Sequence, residues 1–452
     1  MTLVDNQLDP GLATVLFPGD PGWDEHRRTF NLLVDQRPEA IALPADERQV
    51  AAAVGFARAR GWRVAAQATG HNAAPLGDLT GTMLLNTSRL SGVQIDVDAR
   101  RVRVGAGVRW SEVIPRLSEL GLAALHGSSP LVGVVGYSLG GGIGWLSRKH
   151  GLQSSAITAV ELVTAEGDLI RADAVHEADL FWALRGGNGN FGIVTALEFR
   201  VFPVAELYAG TMVFPAERSA EVLRAWTGQL PSYPDELTTW VSILHVPPLP
   251  EIPEPLRGRS LVVVMAVHLG GEDEGRRLLA PLRALGPELD LFGLQPPAGI
   301  ADLAMDPADP LPTRSATALL DSLPDEAIDQ VVGVSAVPGS PVLMTQFRHV
   351  GGALSRPAAD GGARDRLAGE LCVFAVSVVP HPDAEAPARA GLAGLLAAVQ
   401  VGRAGAYPSF VEEPADAAGF WEADAWQRLR TVKALYDPSD VFRGNHHIPP
   451  AS

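Results

Sequence analysis

The stretch Gly127-Ser128-Ser129-Pro130-Leu131-Val132-Gly133-Val134-Val135-Gly136-Tyr137-Ser138-Leu139-Gly140-Gly141-Gly142-Ile143-Gly144 decides more about this chain than any other. Four glycines in the five residues from Gly140 to Gly144 remove nearly every Cβ, which exposes backbone N–H groups and lets a flat cofactor lie against the chain. An ordinary tight turn between packed strands is the competing reading. Within the same stretch, Gly136-Tyr137-Ser138-Leu139-Gly140 matches the G-x-S-x-G nucleophile elbow, and Leu131 to Val135 before it reads as an apolar, β-branched strand. An α/β-hydrolase built on Ser138 would also need a helix directly after the serine, together with a later acid and a histidine, for which His446 and His447 are available. The glycines crowd that position, and each disfavours a helix by about 1 kcal/mol relative to Ala.

A second glycine pattern, Gly187-x-Gly189-x-x-Gly192, satisfies the dinucleotide fingerprint in letters only. That fingerprint needs a strand before it and a helix after it. Here a helix over Asp179 to Leu184 precedes and a strand over Ile193 to Phe199 follows, which excludes a Rossmann site. Upstream, Ala40 to Leu43 and Trp62 to Ala66 read as strands around a helix opened by Asp46 with Gln49 three residues on. Val93 to Val97 and Arg101 to Val104 read as paired strands, Ser111 opens a helix that stops at Gly121, and Ile157 to Thr164 with Leu169 to Ala172 form a hairpin around Glu166-Gly167. From about Pro203 the texture changes. Pro-rich segments such as Val246 to Pro255 separate strands (Leu261 to His268, Glu370 to Val379) from Ala/Leu/Arg helices, and a helix from about Trp421 to Leu435 stops before Pro438, leaving an irregular tail.

Composition narrows the function classes. With 452 residues, 46% hydrophobic and 19% charged, the chain has ample apolar surface to bury over two to three domains. Its formal charge of −16 opposes binding to nucleic acid or an anionic membrane and favours a small-molecule or protein partner. Cys372 stands alone among apolar neighbours, which excludes an internal disulfide and a CxxC metal site, so no metal is expected. Lys149 and Lys433 are the only lysines. Met1 to Pro10 carries no basic segment leading into an apolar core, and the expected compartment is cytoplasmic. The excess of Arg over Lys and of Ala hints at a GC-rich bacterial source, where tailoring of secondary metabolites is common.

Five segments in order resemble the FAD-linked oxidases of the berberine bridge enzyme type. They are Gln67-Ala68-Thr69-Gly70-His71-Asn72, Gly127 to Gly136, Gly140 to Gly144, Asp179 to Gly187 with Asn190-Phe191-Gly192-Ile193-Val194-Thr195, and Tyr436-Asp437-Pro438 with Phe442-Arg443-x-Asn445. The resemblance implies an α+β fold of the vanillyl-alcohol oxidase superfamily. A bipartite PCMH-type FAD-binding domain would comprise residues 1–205 and a completing C-terminal segment, 403–452, around an inserted substrate-binding domain, 206–402, with an antiparallel sheet flanked by helices. It also implies that Gln67, Ala68, Thr69, Gly70 and Asn72 cradle the pyrophosphate and that His71 joins covalently to the flavin 8α-methyl. Ser129 stands where relatives with a second covalent link carry cysteine, so one attachment at most is expected. Val132 falls on the oxygen-gating position, and a valine there goes with O2 access. Gly133, Gly136, Gly142, Gly144, Ile193, Val194 and Asn445 complete the implied cofactor contacts.

Departures from the family pattern bear on redox tuning. Gln67-Ala68-Thr69 replaces Arg-Ser-Gly, Ser155-Ala156 replaces Asp-Asn, His447 replaces an asparagine, and Tyr137 replaces a histidine beside the flavin pyrimidine carbonyl. The resemblance implies hydride transfer from a C–H next to O or N of an alcohol, amine or metabolite intermediate to flavin N5, with reoxidation by O2. A scaffold with dehydrogenase or non-redox cyclase activity and the Ser138 hydrolase are the alternatives. Tyr407 is the first candidate for the catalytic base, with Tyr137 and His245 behind it, while Glu412 and Glu413 read as a solvated charge pair. The expected assembly is a monomer or homodimer.

Overall fold

A computed structural model describes residues 13–250, 252 and 254–452. Met1 to Pro10, and with it the reading of that segment, lies outside the described residues, as does part of the Pro-rich stretch near 250. Two small sheets build the N-terminal half. One has the order Thr14–Leu16, Ala40–Leu43, Thr82–Asn86, Arg63–Gln67, with the last three strands parallel. The other is antiparallel, in the order Val93–Asp96, Arg101–Gly105, Ile193–Arg200, Ile157–Val163, Leu169–Asp173. Between them lies the helix Glu47–Arg58, whose N-cap Asp46 accepts from Gln49 N at 2.9 Å. Its Val50, Ala53, Val54 and Ala57 are fully buried in one core with Val64, Val104 and Leu197, each large side chain contributing about 1.5–3 kcal/mol.

The decisive stretch departs from expectation. Leu131 to Val135 is not a strand; after an extended Gly133, Val134–Leu139 form a short helix. Apart from one isolated bridge, Arg109 to Gly133, no partner strand lies beside this segment among the described residues. Burial of Val134, Val135 and Leu139 against the core overrides the β preference of two consecutive valines. The helix Trp110–Glu119 likewise starts one residue before Ser111, with Glu112 accepting from Arg109 N.

From Leu207 to Gly405 the chain builds one antiparallel sheet of nine strands. Its main path runs Leu289–Asp290, Leu207–Pro215, Ser260–His268, Leu237–His245, Met344–His349, Leu371–Val378, Thr313–Leu320, Arg403–Gly405, and Gly293–Gln295 pairs beside Leu207–Pro215. Alternation divides its faces. Phe214, Val241, Ile243, Val262, Phe347 and Val373 pack in one core with residues of the helices Ser219–Gln229, Asp325–Ser335 and Glu385–Ala398. Trp240, Ser242, Gln346, Arg348, Cys372 and Phe374 take the alternate positions, toward the N-terminal half, where Trp145 stacks on Trp240 and Cys372 packs with Ile143 and Tyr407.

This alternation corrects one catalytic candidate. His245 shares the helix-facing side with Val241 and Ile243, and its ring bonds Ser260 Oγ at 2.7 Å and the Ser335 carbonyl at 2.7 Å. It is a structural histidine behind the sheet.

The C-terminal helix Ala423–Tyr436 returns the chain to the first sheet, where Val64 N donates to Val441 O and Arg443 N to Val64 O. Lys433, fully buried, fastens the return by donating to Asn190 O, Asp437 Oδ2 and Phe442 O at 2.7, 2.6 and 2.9 Å.

Candidate functional site

The loop leaving Arg63–Gln67 is shaped by Gly70, which holds φ +70°; a Cβ there would stand 3.0 Å from Thr29 Cα. Its carbonyl accepts from Phe30 N, and this fold-back lays the His71 ring on Phe30, with centroids 4.0 Å apart and planes 16° from parallel. Thr69 Oγ1 sits 2.8 Å from His71 Nδ1, while Nε2 is buried without a partner. Burial, then the charge of Arg109, pushes the imidazole down to about 4, so it is neutral at pH 7. Asn72 donates to Ser409 O at 3.4 Å and its backbone carbonyl accepts from Asn445 Nδ2. The side-chain oxygens of Asn72 and Gln67 are buried and unpartnered. Ala68 and Thr69 lie against Gly133, so this loop, the start of the 134–139 helix and Asn445 converge.

Beyond that helix, Gly141 and Gly142 hold φ +122° and +81°. A Cβ on Gly142 would stand 2.6 Å from the Tyr137 ring and 2.7 Å from Gln153 Cβ, so glycine is required by both torsion and space. Gly136, in contrast, is exposed and has nothing within 4 Å of a built Cβ. Gly144 packs on His126 O. Gln153 and Ser154, bonded through their backbones to Gly142 O and Gly141 O, carry buried, unpartnered side-chain polar atoms.

Both tyrosine candidates lie beside this segment. Tyr407, 1% exposed, accepts from Gly142 N at 2.8 Å, and Tyr137 donates to Leu125 O at 2.8 Å. Burial raises both phenols above the ordinary tyrosine range, so each keeps its proton at pH 7. The Tyr137 proton is committed to the backbone rather than to a cofactor carbonyl. Ser129 accepts from Leu131 N at 3.3 Å, and Val132 is partly buried against the core. Ile193 and Val194 put their side chains into that core and pair with Val163 and Leu162, which leaves their backbone as the part that could meet a cofactor.

Two further expectations are corrected. Ser138 is fully buried inside the helix, donating to Val134 O at 2.7 Å, and no strand-to-helix elbow presents it. Glu412 and Glu413 are not a solvated pair. Glu413 is exposed beside Arg389, whereas Glu412 accepts from Asn31 Nδ2 at 3.3 Å and burial pushes its carboxyl up to about 7. Glu412 reads as solvent-facing in sequence because its partners, Asn31 and Ser315, lie far away in the chain.

The sheet supplies residues that the sequence reading missed. Arg348, 4% exposed, lies over the Trp240 ring at 4.2 Å and the Phe410 ring at 4.8 Å. Its Nε donates to Gln346 Oε1 at 2.6 Å, and Gln346 Nε2 donates to Ser242 at 3.0 Å. NH2 reaches Ser128 Oγ, in the glycine-rich stretch, at 3.5 Å. Alternation along Met344–His349 could have placed Gln346 and Arg348 on one face, but not against Ser128.

A loop with buried unpartnered polar atoms, a close-packed glycine segment and an antiparallel sheet packed on that segment therefore meet at one site. Residues 38–173 match the family model described as an FAD binding domain, and residues 413–449 match the one described as berberine and berberine like. The chain is 29% identical to (R)-6-hydroxynicotine oxidase of Paenarthrobacter nicotinovorans, covering 96% of each sequence. Among solved structures it is similar to 6-hydroxy-D-nicotine oxidase of Arthrobacter nicotinovorans, at TM-score 0.84 and 27% identity over 97% of this chain and 98% of that one. A xylooligosaccharide oxidase of Myceliophthora thermophila shares the fold at TM-score 0.82 and 24% identity, over 97% and 98% of the two chains. The protein is an FAD-dependent oxidoreductase resembling the berberine bridge enzyme type, and 6-hydroxynicotine oxidase in particular.

The residues fit FAD. The partnerless Nε2 of His71 and oxygens of Gln67 and Asn72 offer polar contacts, and exposed Gly136, with nothing within 4 Å of a built Cβ, leaves open space on the segment that Gly133 joins to this loop. Among the described residues no helix is long and apolar enough to cross a membrane, and no cluster of three or more His, Cys, Asp or Glu could hold a metal ion.

Proposed function

We propose that this protein is a flavin oxidase acting on a small molecule that carries a C–H next to O or N, and that His71 provides a single covalent attachment. The observation that carries the reading is the neutral His71 ring, braced between Phe30 and Thr69 with one nitrogen left unpartnered on the implied cofactor loop. Bound FAD supplies the hydride acceptor, N5, and its reoxidation by O2 yields H2O2.

The chain's own residues hold and enclose. Gln67 to Asn72, Gly133, Gly136 and Asn445 are the contacts for the pyrophosphate and ring system, and Ser129 offers no sulfur for a second link. Val132 leaves room for O2. Tyr407 holds Gly142 N in place and keeps its own proton on Oη, so it orients the glycine wall rather than abstracting a proton. On this reading residues 206–402 form the substrate domain, although pairing of Arg403–Gly405 with Thr313–Leu320 carries the sheet slightly past that boundary. A monomer or homodimer in the cytoplasm is the proposed setting.

Purified protein should absorb near roughly 370 and 450 nm, as flavins do. After acid precipitation the colour should stay in the pellet, and His71→Ala should release it to the supernatant. Peroxide release with anaerobic bleaching across an alcohol and amine panel tests the oxidase. Colourless protein that takes up no FAD defeats the reading, and bleaching that O2 does not reverse would make the enzyme a dehydrogenase.

A further inference from the structure

Arg348 is a buried cation whose hydrogen-bonding capacity is mostly unspent. Its Nε is committed to Gln346, leaving the NH1/NH2 edge with only the long contact to Ser128 Oγ. Among the described residues no carboxylate lies within 4 Å of it; the Asp306 charge acts from farther away. Two other buried arginines are treated differently, while Arg364 places only its NH2, on Phe420 O at 2.7 Å. Arg148 donates to the carbonyls of Leu237, Tyr233 and Pro234, and Arg185 to those of Phe181, Asp360 and Gly361. Backbone carbonyls satisfy those two, as structure requires, but they do not satisfy Arg348.

A buried ion without a partner costs several kcal/mol, so such a group persists where an anion completes it. The orientation of Arg348 is set in advance. The Gln346 carboxamide is fixed by Ser242, it receives Nε, and the terminal fork is thereby turned along the sheet toward Ser128. Trp240 and Phe410 cover the guanidinium, with Trp145 stacked on Trp240 and Phe374 beside Phe410. The surroundings are aromatic, and the free edge matches the geometry of two carboxylate oxygens.

We propose that Arg348 is the counter-ion for a carboxylate on the substrate, an organic acid with an apolar or aromatic frame, and that Gln346 positions it. This deepens the flavin-oxidase reading and rests on it. The site lies on the sheet face turned toward the glycine-rich wall, so the acid group would anchor one end of the substrate while the oxidised carbon lies toward the cofactor.

The test uses FAD-loaded full-length protein titrated with benzoate, benzamide and benzyl alcohol, read from perturbation of the roughly 450 nm flavin band. Benzoate should bind about tenfold or more tightly than benzamide. Arg348→Gln should abolish that preference, and Arg348→Lys should keep only part of it. Gln346→Glu supplies an internal carboxylate to the guanidinium and should also abolish it, which keeps the test decisive should Arg348→Gln fail to fold. Equal binding of benzoate and benzamide to the wild type, or a benzoate preference that survives both Arg348→Gln and Gln346→Glu, would overturn the proposal. So would an Arg348→Gln variant that changes sulfite affinity of the flavin while keeping the benzoate preference, because Arg348 would then serve the cofactor. Absence of the flavin band in wild-type protein would overturn the functional reading beneath; a normal band without acid preference sinks only this inference.

Discussion

Lys433 and Arg348 are both buried cations, and they are handled in opposite ways. Lys433 places all three of its protons, on Asn190 O, Asp437 and Phe442 O, and Asp437 in turn accepts from Val441 N and Phe442 N at 2.8 Å each. Arg348 has five donors and firmly places one. A closed network around a buried charge holds the C-terminal return in place; an open one, beside aromatic rings on a sheet face, awaits a ligand. Glu412 falls between them, with a 3.3 Å bond from Asn31 and a carboxyl that burial pushes up to about 7.

The comparison breaks most easily at Lys433. Lys433→Met leaves Asp437 buried without its ion pair and should cost about 3–5 kcal/mol, visible as a lower melting temperature and release of the C-terminal segment to proteases. If the variant melts like the wild type, the closed network holds nothing.

At Glu412 the expected effect is on the order of 2 kcal/mol and depends on pH. Its pKa in the folded protein, about 7, lies above the ordinary 4.5. Between these values the folded chain binds a proton that the unfolded chain has released, so wild-type stability falls as pH rises through this window. Glu412→Gln should therefore gain stability over the wild type at pH 8 and match it near pH 4. Parallel melting curves of the two proteins across that range would show that the carboxyl is solvated after all.

Arg348→Met should cost less, at most about 1–2 kcal/mol, because the orphan it creates, Gln346 Oε1, is offset by removal of an unpaired buried charge. A loss as large as that of Lys433→Met would make Arg348 structural and erase the contrast. The smallest effect belongs to Ser138→Ala. It removes one side-chain bond to Val134 O, should cost within about 1 kcal/mol, and should leave turnover unchanged. Loss of turnover with a normal melting temperature would revive Ser138 as a reacting group.

Much of the N-terminal half was legible from sequence because its requirements are local. The hairpin after Ile157 formed, and a helix before and a strand after Gly187 to Gly192 rule out a Rossmann site. Leu131 to Val135 misled because β propensity was judged without knowing that no strand would pair there. His245 misled because its strand has two buried faces, and hydropathy does not tell which faces the glycine-rich wall.

Sequence alone determined where backbone must be bare of side chains, since torsion and missing Cβ atoms are properties of single residues and their neighbours. Only the tertiary structure decided that Tyr407 keeps its proton beside Gly142, that burial desolvates Glu412 while Asn31 donates to it, and that Arg348 lies over Trp240 and Phe410 with its fork toward Ser128. The charge state and unmet bonds of a buried group depend on what surrounds it, and those surroundings come from segments hundreds of residues apart.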